Sequence, residues 1–455
     1  MTAGYAGRNI LVAGAGISGV AAAEVLLRRG ARVTVTDRTE SARTEALRLL
    51  GATVACGLNE PAAGTDLVVT SPGWRPEHPL LRAAASAGVE VIGEVELAWR
   101  LGEEGGRQRA PWLAVTGTNG KTTTVEMLAS ILRAGGLRAI AAGNVGRPLV
   151  QVVTEPRPYD VLAVELSSFQ LYWSSTIAPA AATVLNVAPD HLDWHGSLAA
   201  YAGAKGRIFK RTTFAVYNVS DSYSIRLCSA SRDRAGFTLG PPIDGQLGVE
   251  GGALVDRAFG HGEFAAVTDV PLPGPHNLAN ALAAAALAFA HGIGPAAVPA
   301  GLRAFAPGRH RNEAIGSLAG VDYIDDSKAT NPHAAAAALA GHPRVVWLAG
   351  GLLKGAPVED LIIAAASRLV AVVLIGADRT ILAQTLARHA PQVPVVEVAR
   401  TDDGAMVEAV GHAARLARPG CVVLLAPAAA SQDMFRDYAA RGNAFVAAAR
   451  ELGVG

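Results

Sequence analysis

The stretch VTGTNGKTTT at residues 115–124 restricts what this chain can fold into more than any other part of it. An apolar strand at 112–115 feeds a loop with two glycines, then a lysine and three threonines, then a helical pattern. Glycines let backbone N–H groups approach phosphate oxygens, the lysine neutralises β/γ-phosphate charge, and the first threonine hydroxyl reaches Mg2+. Such a loop joins a strand to a helix, so it belongs to an α/β sheet with ligand at the strand ends. Strict spacing of the motif asks for Gly where Val115 stands, so the loop is a variant. A plain turn with a solvated lysine is the bland alternative, and the flanking strand and helix argue against it.

At 455 residues the chain is too long for a single core, and about three domains are expected. Half of it is hydrophobic, mostly Ala, Val and Leu with few aromatics, which suits helices packed on buried parallel strands. NILVAGAGISGVAAAEVLLRRGARVTVTD (9–37) reads strand, glycine turn, helix and strand, ending in Asp37. A further strand, DLVVTSPG (66–73), ends in a turn. LGEEGGRQRAP (101–111) is a Gly- and charge-rich linker, and FAPGRHRNE (305–313) is a second hinge after a long Ala-rich helix within 272–292. Between them DVLAVEL (160–166) and AATVLN (181–186) are strands, and 212–270 has short β-rich runs without nameable chemistry. After the second hinge strands and helices alternate again. The expected fold class is α/β with three domains in series: a Rossmann-like domain at 1–105, a P-loop ATPase-like domain at 106–307 and a Rossmann-like domain at 308–455.

A net charge of +1 without a Lys/Arg block gives no nucleic-acid track, so any polyanion bound is a small ligand. Three scattered cysteines, Cys56, Cys228 and Cys421, fit neither a disulfide framework nor a zinc cluster. The amino terminus lacks an export signal, and the longest apolar run (278–290) is too short to span a bilayer. A soluble protein of a reducing compartment, with bacterial cytoplasm the simplest case, is expected.

Gly14, Gly16 and Gly19 match G-x-G-x-x-G, with Asp37 closing the next strand. That pattern fits a dinucleotide, a UDP-sugar diphosphate or an unliganded Rossmann-like fold equally well. An NAD(P)-dependent oxidoreductase is one reading of it, but no hydride-transfer constellation accompanies the turn.

GTNGKTT is similar to the phosphate loop of the Mur ligases and the related folylpolyglutamate synthases. The resemblance runs along nearly the whole chain, through ELSSFQL (165–171), NVAPDHLDWHGS (186–197), YAGAKGRIF (201–209), GPHNLANALAA (274–284), DSKATNP (326–332) and APAAASQDMFRDYAARGNAF (426–445). ELSSFQL and DSKATN resemble the D-glutamate-adding branch of the Mur ligases. What this implies is ATP-dependent ligation of D-glutamate to UDP-N-acetylmuramoyl-L-alanine through an acyl-phosphate and a tetrahedral intermediate, in peptidoglycan precursor synthesis, by an enzyme expected to be a monomer.

Two anions meet in the first step, so positive charge must be concentrated between them. The resemblance assigns ATP to Gly117, Thr118, Asn119, Gly120, Lys121, Thr122 and Thr123, with Asn277, Arg311 and Asp326 for adenine and ribose. It assigns one Mg2+ to Thr122 and Glu165 and a second to His191 and Lys205. Lys121, Glu165, His191 and Lys205 form the implied catalytic set. Glu165 ends a buried strand, where a carboxylate is costly without a cation and where a strand-end ion pair is the alternative. His191 and His195 read by themselves as capping histidines, and Lys205 as a solvated helical lysine. The resemblance makes Lys205 a CO2-derived carbamate, which requires a neutral amine that desolvation supplies. The UDP-substrate is assigned to Ile17, Ser18, Asp37, Arg38, Ser71, Gly73, Asn144 and His191. D-glutamate is assigned to Lys328, Thr330, Lys354, Ser431, Gln432 and Tyr438.

Three departures from the family pattern gather at the amino-acid site. Leu352 and Leu353 precede Lys354 where polar residues are usual, Gln432 replaces an apolar residue, and Tyr438 replaces a phenylalanine. Another Mur-type ligase or a folylpolyglutamate synthase would differ in the acceptor, and the glycine turn with SPG favours the UDP-linked one. A non-catalytic nucleotide-binding regulator would lack Lys121, Glu165 or Lys205, and all three are present.

Overall fold

The computed structural model describes residues 4–104, 108–272, 274–402 and 404–455, so 105–107 of the expected linker lie outside it. The chain divides into two compact units, one of residues 1–187 and 199–305, the other of 188–198 and 306–455.

The first unit carries two sheets. β1 (Asn9–Ala13), β2 (Arg32–Thr36), β3 (Thr53–Val54), β4 (Leu67–Thr70) and β5 (Val91–Gly93) form a parallel sheet in the order β3-β2-β1-β4-β5. Helices α1 (Ile17–Arg28), α2 (Ala42–Leu49), α3 (Pro79–Ser86) and α4 (Glu94–Leu101) connect and follow these strands. Strand order reverses between β1 and β4, which is where open α/β sheets hold ligands.

The second sheet has nine strands: β6 (Trp112–Thr116), β7 (Ala139–Gly143), β8 (Val161–Glu165), β9 (Ala181–Val184), β10 (Phe214–Asn218), β11 (Arg234–Phe237), β12 (Gln246–Glu250), β13 (Ala253–Asp256) and β14 (Gly262–Ala266). They lie in the order β14-β13-β12-β11-β10-β9-β6-β8-β7, parallel from β7 to β12 and antiparallel beyond. The short runs of 212–270 thus extend the phosphate-loop sheet. All five residues of β6 are buried, as a strand covered on both faces must be.

Helix α5 (Lys121–Ala134) starts directly after the phosphate loop. The chain continues through α6 (Leu149–Val153), α7 (Ser168–Tyr172), α8 (Leu192–His195), α9 (Leu198–Gly206) and α10 (Ser222–Leu227) to α11 (Pro275–Ala290) and α12 (Ala297–Ala304). Helices α11 and α12 both pack on α5. The alanine run of α11 is buried from Asn280 to Phe289, because a helix with methyl side chains can approach its neighbours closely. Ser130 of α5 donates to the carbonyl of Gly301 on α12 at 2.7 Å, so the phosphate-loop helix is fixed on two sides.

The two sheets of this unit are joined by polar contacts from α4. Glu94, buried, accepts the N–H of Val150 at the start of α6 at 2.8 Å. Burial pushes its carboxyl up to about 7, opposed by the N–H groups of Val150 and Leu149. Glu96 accepts from the backbones of Ser175 and Thr176 at 2.9 and 3.0 Å.

The second unit holds β15 (Glu313–Leu318), β16 (Val321–Asp325), β17 (Val345–Gly350), β18 (Leu369–Ile375), β19 (Val395–Glu397) and β20 (Val422–Leu425), in the order β15-β16-β20-β17-β18-β19. Only the edge strand β15 is antiparallel. Its helices are α8, from the 188–198 segment, and α13 (Pro332–Ala340), α14 (Glu359–Ala365), α15 (Arg379–His389), α16 (Ala405–Leu416) and α17 (Tyr438–Glu451). Apolar cores lie on both faces of the sheet, around Trp347 and Leu424 on one and Val346 and Phe445 on the other. Among the described residues no helix is long and apolar enough to cross a membrane.

Candidate active site

The phosphate loop is built from its own backbone and two neighbouring asparagines. Gly120 caps α5 at φ 84, and a Cβ there would sit 2.3 Å from Asn280 Oδ1, so only glycine fits. Asn186, just after β9, accepts the N–H of Asn119 at 2.9 Å and donates to its carbonyl at 3.1 Å. Lys121 Nζ donates to the carbonyls of Gly117 and Thr118 at 3.0 and 2.8 Å, folded over the loop it would serve. Thr122 and Thr123 are buried in the first turn of α5.

Register places the acid. β6 pairs with β8 so that Val115 lies opposite Glu165, and Leu166 N–H donates to the carbonyl of Val115 at 2.9 Å. Glu165 is 2% exposed. Its Oε1 accepts from Asn144 Nδ2 at 2.8 Å, while its Oε2 is buried without a hydrogen-bond partner among the described residues. Leaving such an acceptor unpaired costs about 1–3 kcal/mol, more if charged. A hard cation beside the phosphate loop would remove that cost, so the residues present fit Mg2+. Asn144, expected to face a diphosphate, has its side chain committed to Glu165, and its N–H donates to the Glu165 carbonyl at 2.9 Å.

Lys205 differs from the solvated lysine its helical context suggests: it is 2% exposed. Its Nζ donates to the Gly117 carbonyl at 2.7 Å and stands 4.4 Å from the centre of the Tyr201 ring. The Tyr201 hydroxyl is 3.2 Å from Thr118 Oγ1. Asn277, in the first turn of α11, accepts from Asn280 Nδ2 at 3.3 Å, and Asn280 Oδ1 accepts from Thr124 Oγ1 at 3.3 Å. The structure therefore gathers Gly117 to Thr123, Glu165, Lys205 and Asn277 around one strand end. His191 belongs to the other unit, where it caps α8 at φ 53 and its N–H donates to Asp190 Oδ1 at 2.9 Å.

At the first sheet, the loops after β1 and β4 meet as expected: Ser71 Oγ donates to the Gly14 carbonyl at 3.3 Å. Asp37 Oδ2 accepts the N–H of Ala15 and its Oδ1 that of Arg38, both at 2.7 Å. Ile17, 70% exposed, and Ser18 open α1, whose start has no side-chain cap and offers its N–H groups to an anion. Gly73 follows in the β4 loop.

In the second unit, three loops leave the carboxyl ends of the adjacent strands β16, β20 and β17. Ala428 N–H donates to the Ala329 carbonyl at 2.9 Å, tying the loop of Lys328 and Thr330 to that of Ser431. Leu352 and Ala430 exchange two backbone bonds of 2.9 Å, bringing in the loop of Lys354. Ser431 is 1% exposed and its hydroxyl is buried without a partner among the described residues. Lys328 Nζ stands 4.1 Å from the centre of the Tyr438 ring, so the tyrosine supplies a cation-binding face. Leu353 is buried in the core and anchors the loop, while Leu352 is half-buried and held through its backbone pairing with Ala430. Gln432, by contrast, is exposed. Burial pushes the Asp326 carboxyl up to about 7, opposed by the Asn312 N–H at 3.3 Å and the Arg311 charge. Arg441, 1% exposed, donates to the Ala429 carbonyl at 3.0 Å and the Ser327 carbonyl at 2.9 Å.

Comparison with known proteins finds the N-terminal domain of MurD-like Mur ligases at residues 8–93, the Mur ligase middle domain at 115–288 and the Mur ligase glutamate ligase domain at 310–429. The chain belongs to the Mur ligase family. It is an ATP-dependent, amide-bond-forming ligase with three Mur ligase domains in series, as its motifs imply. UDP-N-acetylmuramoylalanine--D-glutamate ligase of Streptomyces coelicolor is 56% identical over 100% of both chains. The Thermobifida fusca enzyme of the same name is 55% identical over 98% of this chain and 99% of its own. Among Mur ligase structures, the UDP-N-acetylmuramate-alanine ligase of Thermotoga maritima shares the fold at a TM-score of 0.61 and 21% identity, over 98% and 99% of the two chains.

The Mur ligase motifs led to the residues expected to face ligand and passed over those that hold them. Asn186, Asn280 and Tyr201 all sit inside quoted stretches, yet nothing in their spacing announces a partner far along the chain. Asp433 lies inside the 426–445 stretch and Asp378 in none of the quoted ones, and the bonds of both appear only in three dimensions.

Proposed function

We propose that this Mur ligase joins D-glutamate to UDP-N-acetylmuramoyl-L-alanine in peptidoglycan precursor synthesis in the bacterial cytoplasm. The observation that carries the reading is whole-length identity of 56% to a ligase of that name. The UDP-linked substrate binds at 1–105 and ATP at 106–307, while 308–455 binds the amino acid and completes the ATP site. The substrate carboxylate attacks the γ-phosphorus of ATP, ADP leaves, and an acyl-phosphate results. The D-glutamate amine then attacks the acyl carbon, and the tetrahedral intermediate expels phosphate. Mg2+ supplies positive charge where phosphate and carboxylate oxygens converge.

This chain's residues supply the rest. Backbone N–H groups of Gly117 to Thr123 cradle the phosphates, and Lys121 turns from its loop carbonyls to the β/γ oxygens. Thr122 and Glu165 offer oxygens to one Mg2+. His191 offers an imidazole nitrogen, and Lys205 as a carbamate an oxygen, to a second. The burial of Lys205 against Gly117 and Tyr201 supports that modification. Asn277, Arg311 and Asp326 hold the nucleoside of ATP. Ile17, Ser18, Asp37, Arg38, Ser71, Gly73, Asn144 and His191 hold the UDP-substrate. The paired loops of Lys328, Thr330, Lys354, Ser431, Gln432 and Tyr438 present cations and hydroxyls to the two carboxylates of D-glutamate.

ADP release should require UDP-N-acetylmuramoyl-L-alanine and Mg2+ in bicarbonate buffer, and of a panel of D- and L-amino acids only D-glutamate should stimulate it. Stimulation by another amino acid would overturn the specificity. Lys205→Ala should lose most turnover, at least about 100-fold, and recover part of it with added acetate or formate, whose oxygens replace those of the carbamate. A flat response across a carboxylic-acid series would rule out carbamylation.

A further inference from the structure

Asp378 is the N-cap residue of α15, yet its carboxylate accepts no N–H of that helix. An aspartate at this position ordinarily satisfies its own helix. Here Oδ2 accepts the N–H of Leu353 at 2.7 Å, one residue before Lys354. Lys354 has φ 54, a left-handed conformation that a side-chain-bearing residue keeps only when its surroundings enforce it. The enforcement is visible. Asp378 N–H donates back to the Gly351 carbonyl at 3.0 Å, and Leu352 is paired with Ala430 on the other side. Behind Asp378, the N–H of Ala377 donates to Asp433 Oδ2 at 2.8 Å, on the loop that carries Ser431. At Gly376 (φ 82) a Cβ would come within 2.6 Å of both Asp433 Oδ2 and Gly351 Cα, so the three loops meet without room to shift.

We propose that Asp378 is a positioning residue for the amino-acid substrate. Its bond to Leu353 fixes the backbone of Lys354, and with it the place of the lysine ammonium, while Asp433 braces Asp378 from behind. This rests on the reading of Lys354 as an amino-acid-binding residue, and it explains why the leucines before Lys354 are tolerated. They replace polar contacts with a buried anchor, and the aspartate supplies the direction. An ammonium displaced by about 1 Å loses much of its grip on a carboxylate without any change at the phosphate loop.

Asp378→Ala should raise KM for D-glutamate about ten-fold while KM for ATP and for the UDP-substrate stay within about two-fold. Asp378→Asn, which keeps an oxygen acceptor, should restore near-normal KM. Asp378→Ser can cap α15 but is one bond too short to reach Leu353, so it should fold well and still show the raised KM. Trypsin gives a readout independent of turnover: cleavage of the native protein after Lys354 should accelerate in the Ala and Ser variants and not in Asn. A uniform rise in all three KM values, or unchanged cleavage after Lys354, would overturn the proposal. Should the wild type prefer another amino acid, the D-glutamate reading fails while the same comparison on that amino acid, and the trypsin result, still decide the role of Asp378.

Discussion

Lys121→Ala should abolish ligation, with turnover falling by about a thousand-fold or more, while the protein folds and melts as before. The structure explains both halves of that outcome. Nζ donates to the carbonyls of Gly117 and Thr118, three and four residues away, so these contacts lie within its own loop. The Gly117 carbonyl keeps the Lys205 ammonium as a donor at 2.7 Å. In the reaction, however, the transferred phosphoryl group and an attacking carboxylate approach each other as anions, and one fixed ammonium at the loop is worth several kcal/mol of transition-state stabilisation. A coupled assay of ADP release together with a thermal melt checks it. Normal turnover in a well-folded variant would remove the phosphate-loop assignment.

Glu165→Gln should produce effects of opposite sign on activity and stability. Gln keeps an oxygen to accept from Asn144, so the strand-end geometry is preserved. It exchanges the carboxylate oxygen that is buried without a partner among the described residues for an amide NH2, and removes the larger burial cost of a formal charge. In the absence of Mg2+ the variant should therefore melt at or above the wild type. Turnover should fall at least about 100-fold, because a neutral amide is a poor ligand for a hard cation, and the Mg2+ concentration needed for half-maximal rate should rise. A variant that melts well below wild type and retains its Mg2+ dependence would show that Glu165 serves the fold rather than the metal.

The family, the three α/β units and most of the residues around the phosphate loop were legible in the chain, because the signals are local. A glycine before a lysine and an apolar run before a glycine each act within one turn of backbone. Asn331 caps α13, accepting from Ala334 N–H at 2.9 Å, a role not read from the sequence. Lys205 shows where local reasoning ends. On α9 it reads as a solvated lysine, and it becomes buried because the Gly117 carbonyl and the Tyr201 ring close over it.

The sequence by itself determined the parts list: which loops the Mur ligase motifs occupy, which strands are buried on both faces, and which chemistry the lysines and carboxylates can support. The tertiary structure alone decided the register that sets Glu165 opposite Val115, and the extension of the phosphate-loop sheet by β10 to β14. It also decided that Asp378 bonds to Leu353 and not to its own helix. Such choices turn on groups tens or hundreds of residues apart, whose pairing follows from how sheets and loops pack and leaves no periodic trace in the chain.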